Sequence, residues 1–152
     1  MRIRGEDMKL LFICHGNICR SPMAEFVMKD LVKKSNLQDQ FTIDSCATST
    51  EEIGRGMHSG TKRILEEKQI PYTNHVARQL TKQDYQEYDF LICMDQANIR
   101  NTLRIIQTDS QNKVRLLLER DIRDPWYTGN FEETYTDVLT GCTNLLNELT
   151  KK

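Results

Sequence analysis

The sequence lacks a long apolar segment: its clearest apolar run, residues 10–13, is too short for a membrane span or the core of a signal peptide. It also lacks an excess of either charge, since 21 basic residues face 22 acidic ones and the net charge is −1. No global field therefore draws the protein to nucleic acid or to an anionic bilayer. We predict a cytoplasmic protein with neither a nucleic-acid nor a membrane partner, in which any affinity for anions is local.

Long linkers, internal repeats and a regular cysteine pattern are also missing. The five cysteines are odd in number and unevenly spaced, which argues against a secreted disulfide framework and for thiols with individual roles. A chain of 152 residues buries roughly 68–70% of its unfolded surface, enough for a core without a metal or a disulfide. We predict one domain over residues 1–152, with no metal and no cofactor.

Strand and helix signals alternate along the chain. Short apolar runs predict strands at residues 9–14, 41–46, 89–93 and 113–118. Helical spacing of apolar residues predicts helices near residues 57–68, 96–106 and 135–149. Another helix is predicted to follow the first strand, with Ser21 as its N-cap and Pro22 in its first turn. Such alternation is typical of a parallel sheet covered by helices.

The most informative segment is Cys14-His-Gly-Asn-Ile-Cys-Arg20, which joins the first predicted strand to the first predicted helix. Unpaired backbone N–H groups and the helix dipole favour an anion at such a junction. Because Cys14 ends the strand, the same field favours its thiolate over its thiol. Arg20 offers a planar fork for two phosphoryl oxygens, and the Ser21 hydroxyl can donate to the sulfur anion. The segment therefore predicts a phosphate cradle beside a reactive cysteine.

Other interpretations of this loop are weaker. Each residue taken singly fits inert packing or an ordinary helix start, but their joint occurrence at a strand-to-helix junction does not. A nucleotide-binding loop needs G-x-x-x-x-G-K-[ST], which is missing from this segment. A zinc site is disfavoured because Cys14, His15 and Cys19 are crowded together without a second pair of ligands.

A cysteine that attacks phosphorus needs an acid to protonate the departing oxygen. The best candidate is Asp124, which Pro125 biases away from helix, while Trp126 and Tyr127 offer aromatic walls for a flat substrate. Alone, this segment would be interpreted as a surface turn. Beside the cysteine loop, it predicts a general acid.

The segments at residues 12–22 and 124–127 together resemble the low-molecular-weight protein tyrosine phosphatases. Residues 44–49, 75–79 and 93–95 are similar to that family in order and spacing, so the likeness covers almost the whole chain. The resemblance implies an α/β fold, a four-stranded parallel sheet flanked by helices on both faces in a flavodoxin-like architecture. It also implies metal-independent hydrolysis of phosphotyrosine in protein substrates, and of small aryl phosphates, through a phosphocysteine.

The resemblance assigns Cys14 as nucleophile, Arg20 as clamp for the phosphate and the transition state, and Asp124 as general acid and then base. Ser21 would stabilise the thiolate, and Asn17 would hold the loop through a polar network with Ser45 and His75. The expected substrate and phosphate site comprises His15, Gly16, Asn17, Ile18, Cys19, Ser21, Glu51, Trp126 and Tyr127. Cys19 would also form a reversible disulfide with Cys14 that shields the nucleophile from over-oxidation.

Two positions depart from the family pattern. Glu51 stands where relatives often carry an aromatic or apolar residue, and His15 where a small or aliphatic one is usual. Both departures concern substrate specificity rather than chemistry. The expected oligomeric state is a monomer with weak self-association.

Three alternative functions stay open. A protein arginine phosphatase of the same family resembles this loop with threonine in place of Ile18. A thioredoxin-coupled arsenate reductase needs two further cysteines on a mobile segment, and residues 83–91 hold none. A non-catalytic oxyanion-binding or redox module would use Cys14 and Cys19 alone, and the intact Asp124 segment argues against it.

Overall fold

Four parallel strands form the centre of the computed structural model, which describes residues 7–151. The ends of the predicted domain, residues 1–6 and 152, lie outside the described residues. The strands are β1 (Met8–Cys14), β2 (Phe41–Ala47), β3 (Phe90–Cys93) and β4 (Val114–Leu116), in the spatial order β2-β1-β3-β4. The helices are α1 (Arg20–Lys34), α2 (Ser59–Glu67), α3 (Lys82–Glu87), α4 (Gln96–Ile106), α5 (Pro125–Thr128) and α6 (Phe131–Thr150), with a 3₁₀ turn at Gln38–Gln40.

Strand β1 is buried on both faces, which explains why it is an almost continuous apolar run in the sequence. On one face Leu10 and Phe12 pack in a cluster with residues of α1, α2 and α6. On the other face Leu11 and Ile13 pack with residues of α3 and α4. The predicted α/β fold, with helices on both faces of a four-stranded parallel sheet, is confirmed.

The start of α1 differs from the prediction. The helix begins at Arg20, its N-cap position is Cys19, and no side chain caps it. The prediction that Ser21 is the N-cap is therefore wrong. The hydroxyl of Ser21 instead lies 3.1 Å from the Cys14 sulfur and 3.4 Å from the Cys46 carbonyl oxygen, inside the molecule. The short helices α3 and α5 were not predicted, because four to six residues carry too little periodicity.

The two ends of the sheet have different surroundings. The chain passes from β1 to β2 on one side and later to β3 on the other. The carboxyl end of β1 therefore lies at the point where the strand order reverses. This point is the usual ligand site in an open parallel sheet. At the opposite end, a cavity is lined by Met8 at the start of β1 and by Leu149 near the end of α6. Within residues 7–151, no helix is both long and apolar enough to cross a membrane.

Helix α6 packs closely on the segment that follows β4, and a glycine allows the contact. A Cβ atom at Gly141 would lie 2.4 Å from Leu117 Cγ. We expect Gly141→Ala to lower the free energy of unfolding by about 1–3 kcal/mol, because overpacking outweighs the better helix propensity of alanine. Urea denaturation measures the effect, and Thr140→Ala on the exposed face of α6 is the control, expected within about 0.5 kcal/mol of wild type. An unchanged midpoint for Gly141→Ala would contradict the packing described here.

Candidate active site

The Cys14 sulfur lies at the carboxyl end of β1, surrounded by hydrogen-bond donors. The backbone N–H groups of Asn17 and Ser21 donate to it at 3.3 Å and 3.4 Å. The hydroxyl oxygen of Ser21 is 3.1 Å away. Since α1 begins at Arg20, its N-terminal dipole also acts at this position. Donors and dipole together form a site that favours an anion next to the sulfur.

Asn17 holds the loop in a left-handed conformation, with φ of 60°, and is fully buried. Its Nδ2 donates to the hydroxyl oxygens of Ser21, at 2.8 Å, and Ser45, at 3.0 Å. Its Oδ1 accepts the Arg78 N–H at 3.2 Å, and its carbonyl oxygen is 2.7 Å from His75 Nε2, which must donate because a carbonyl can only accept. The structure thus brings Asn17, Ser21, Ser45 and His75 together. Because Ser21 Oγ accepts from Asn17, its own proton can go to the Cys14 sulfur at 3.1 Å or to the Cys46 carbonyl oxygen at 3.4 Å.

Glu25 extends this network and was missed in the sequence. It is 5% exposed, and its carboxylate accepts the Ser45 hydroxyl at 2.6 Å and pairs with Lys29 at 2.6 Å. His75 Nδ1 lies 4.0 Å from the same carboxylate. The available signal was an acidic residue next to Phe26, on a helix whose neighbouring positions are apolar. Glu25 anchors Ser45 and His75, and through them the position of Asn17.

Arg20 is 2% exposed and is held by acceptors on two other segments. Its Nη1 donates to Asp95 at 2.6 Å and to the Ile122 carbonyl at 2.8 Å, and its Nη2 lies 3.4 Å from Asp124. Burial opposes the charge, but the Cys14 sulfur and the Asp95 hydrogen bond together raise the pKa of Arg20 above its ordinary value. Among the described residues, Arg20 Nε has no hydrogen-bond partner, which leaves one donor for a ligand.

Asp95 is a second residue that the sequence analysis did not select. It caps α4 by accepting the Asn98 N–H at 2.8 Å, and its other oxygen binds Arg20. Its place two residues after β3 was the available signal, because the carboxyl ends of parallel strands meet at one edge of the sheet. Asp95 therefore links the arginine of the loop to the strand beside β1.

Asp124 enters the site from the segment before α5. Its backbone is extended, as expected before a proline, and Pro125 begins the helix. One carboxylate oxygen accepts the Trp126 N–H at 3.0 Å, and the other faces Arg20. The carboxylate is thus held at the wall of the pocket.

These elements border an open pocket of about 480 Å³, a volume that includes the solvent at its mouth. It is lined by Cys14, His15, Gly16, Ile18, Cys19, Glu51, Glu52, Asp124, Trp126 and Tyr127. Three residues expected at the substrate or phosphate are not in this lining: Asn17, Arg20 and Ser21 are buried next to it. Glu52 lines the pocket and was not expected. At the mouth, His15 Nε2 lies 3.2 Å from the Glu51 carboxylate, while Trp126 and Tyr127 are 55% and 82% exposed. Within residues 7–151, no cluster of His, Cys, Asp or Glu side chains could hold a metal ion.

Cys19 shares the pocket with Cys14, and both are free thiols. Burial, followed by the charge of Cys14, raises the pKa of Cys19 to about 12. Cys19 is therefore a neutral thiol at physiological pH. The two cysteines of the loop differ in environment, since only Cys14 accepts backbone N–H donors among the described contacts.

Comparison with known proteins identifies relatives over nearly the full chain. A family model for low molecular weight phosphotyrosine protein phosphatases matches residues 9–152. The low molecular weight protein-tyrosine-phosphatase YfkJ of Bacillus subtilis is 37% identical over 95% of this chain and 97% of its own length. The crystal structure of SP-PTP, a low molecular weight protein tyrosine phosphatase of Streptococcus pyogenes, is similar with a TM-score of 0.90 at 44% identity, covering 95% of each chain. The Drosophila arginine phosphatase DARP is similar with a TM-score of 0.86 at 30% identity, over 95% of this chain and 99% of its own.

Two variants of Asn17 separate the effect of its left-handed backbone from the effect of its side-chain hydrogen bonds. We expect Asn17→Ala to lower the free energy of unfolding by about 2–4 kcal/mol, because it adds backbone strain and leaves buried groups unpaired. Asn17→Gly removes the same hydrogen bonds without the strain, so we expect its loss of unfolding free energy to be about 1 kcal/mol smaller than that of Asn17→Ala. Urea denaturation of both variants tests this order. If the glycine variant were the less stable of the two, backbone strain would not matter at this position.

Proposed function

The chain belongs to the low molecular weight phosphotyrosine protein phosphatase family, and we propose that it hydrolyses phosphotyrosine in protein substrates through a phosphocysteine on Cys14. The observation that carries this assignment is the Cys14 sulfur, which accepts two backbone N–H groups at the start of α1. The same surroundings that favour a thiolate favour a bound phosphate dianion. Nucleophile and phosphate site therefore coincide.

In the first step, the Cys14 sulfur forms a bond to phosphorus as the bond from phosphorus to the phenolic oxygen breaks. The loop N–H groups and Arg20 bind the equatorial oxygens, and the unpartnered Nε of Arg20 is a donor for one of them. Asp124 transfers its proton to the departing phenolate. Asp95 keeps the guanidinium oriented during this step through its 2.6 Å contact.

In the second step, a water oxygen attacks phosphorus and Asp124 accepts the water proton. The bond from sulfur to phosphorus breaks, and inorganic phosphate leaves. Cys14 departs as a thiolate, which is stabilised by the Ser21 hydroxyl and by the N–H groups of Asn17 and Ser21. Ser45 and His75 act indirectly, because they hold Asn17 in its strained conformation.

The pocket supports an aromatic phosphomonoester as substrate. Trp126 and Tyr127 line one side of the mouth and can contact the phenyl ring, and Ile18 contributes an apolar side chain deeper in the pocket. Glu51 and His15 also line this pocket, where they form an exposed pair that a substrate residue near the phosphotyrosine can contact. Phosphoarginine is the second candidate, supported by the likeness to DARP.

The two loop cysteines support a protective redox step. A peroxide converts the Cys14 thiolate to a sulfenic acid, which condenses with the Cys19 thiol and releases water. Cys19 lines the same pocket and keeps its proton at neutral pH. The resulting disulfide is reversed by a dithiol reductant, which restores activity.

We also propose a cytoplasmic monomer that associates weakly with itself and acts without a nucleic-acid or membrane partner. The net charge of −1 supports this view, because it provides no general attraction to polyanions or anionic bilayers. The protein partner is then the phosphotyrosine-containing substrate itself.

Replacement of the nucleophile is the first test. We expect Cys14→Ser to abolish hydrolysis of 4-nitrophenyl phosphate, phosphotyrosine peptide and phosphoarginine peptide, while vanadate still binds, because the loop N–H groups and Arg20 remain. Release of phosphate and vanadate titration provide the readouts. The wild type is expected to prefer the phosphotyrosine peptide, and a preference for phosphoarginine would replace the proposed substrate by the second candidate.

Removal of the acid is the second test. We expect Asp124→Asn to lower kcat/KM for phenyl phosphate by roughly 10²–10⁴-fold, since its leaving group needs a proton. The loss for 4-nitrophenyl phosphate is expected to be smaller, because that phenolate leaves readily without one. Equal losses on both substrates would exclude Asp124 as the proton donor.

A further inference from the structure

His58 connects three segments that meet beside the pocket. Its backbone N–H donates to the Ile18 carbonyl in the phosphate loop at 2.9 Å. Its Nδ1 accepts the N–H of Gly60 at 2.9 Å and so caps α2. Its ring stacks on Phe131, with centroids 5.1 Å apart and planes at 26°. The same ring meets that of Trp126 edge to face, at 5.7 Å and 83°.

The backbone of Trp126 connects this ring contact to the carboxylate of Asp124. Its backbone N–H donates to one oxygen of Asp124 at 3.0 Å. The other oxygen of Asp124 is 3.4 Å from Arg20, longer than a strong charge-assisted hydrogen bond. The direction of the carboxylate therefore depends largely on where Trp126 lies. Trp126 is 55% exposed, and among the described residues its only ring contact is with His58, so this contact is a main support of its side chain.

A glycine next to His58 leaves room for the stacked rings. A Cβ atom at Gly60 would lie 2.4 Å from Phe131 Cζ, so only a glycine leaves room for the phenyl ring against the cap of α2. An imidazole can accept a backbone N–H through Nδ1 and present a flat face at the same time. Asparagine can cap a helix but has no ring, and phenylalanine has a ring but no acceptor.

We propose that His58 is a positioning residue for the proton-transfer step: its ring holds Trp126, and through the Trp126 N–H it fixes the Asp124 carboxylate over the pocket. The inference rests on the proposed function, because it requires Asp124 to be the proton donor. A carboxylate that is misplaced by about 1 Å loses proton-transfer efficiency, up to about 10²-fold. The loss appears where the leaving group needs the proton most.

The test separates the two roles of His58 by substitution in the full chain. His58→Asn keeps the cap and removes the ring, whereas His58→Phe keeps the ring and removes the cap. Thr81→Ala is the matched control, because Thr81 caps α3 within its own capping box and its loss leaves the ring contacts intact. Each protein is assayed by kcat/KM for phenyl phosphate and for 4-nitrophenyl phosphate, and by inhibition with inorganic phosphate.

We expect His58→Asn to lower kcat/KM for phenyl phosphate by roughly 10- to 100-fold and that for 4-nitrophenyl phosphate by about threefold or less. Phosphate inhibition stays unchanged, because the loop is intact. His58→Phe and Thr81→Ala are expected to stay within about threefold of wild type on both substrates. Trp126 is the only tryptophan of the chain, so its fluorescence emission reports the contact directly and should shift in His58→Asn and not in Thr81→Ala.

Two results would overturn the inference: equal loss on both substrates in a folded His58→Asn protein, or full phenyl phosphate activity in that protein. If the asparagine variant fails to fold, as judged by thermal unfolding, His58→Ser makes the same comparison, because serine also caps helices. Failure of the proposed function is distinguished by the other variants. It follows if wild type hydrolyses neither substrate, or if Asp124→Asn lacks the leaving-group dependence.

Discussion

The rest of the site depends on the hydrogen-bond donors that surround the Cys14 sulfur. Two backbone N–H groups, the Ser21 hydroxyl and the start of α1 all converge on this atom. None of these donors would be in place without the left-handed turn at Asn17, which is maintained by hydrogen bonds from other segments. The site is therefore built from backbone geometry first and from side-chain identity second.

The buried charges near this atom are each paired with an opposite charge. Arg20 lies between Asp95 and Asp124, and a buried guanidinium without such partners would be strongly unfavourable. Glu25 is compensated in the same way by Lys29. The contacts of Arg20 are uneven, short to Asp95 and long to Asp124, so the first carboxylate orients the cation more firmly than the second.

The sequence was informative where a single segment carries the chemistry. The strand, loop and helix around Cys14 and Arg20 could be predicted because an apolar run, a cysteine and an Arg-Ser pair follow one another directly. Asp95, Glu25 and His58 were not selected, since each makes its contacts with residues distant in the chain, and only Asp95 and Glu25 carried a positional signal in the sequence. Ser21 was predicted in two roles, as the cap of the first helix and as a donor to the Cys14 sulfur. The fold keeps only the second, because its hydroxyl lies 3.1 Å from the sulfur and no side chain caps α1.

The separation of the two ends of the sheet has a practical meaning. The pocket lies at the carboxyl end of β1, whereas Met8 and Leu149 meet around the cavity at the amino end. A carrier, surface or fusion partner joined near Asp7 or Lys151 is thus attached at the pole opposite the pocket. Immobilised in that way, the protein would present its opening outward, accessible to a macromolecule as large as a folded phosphoprotein.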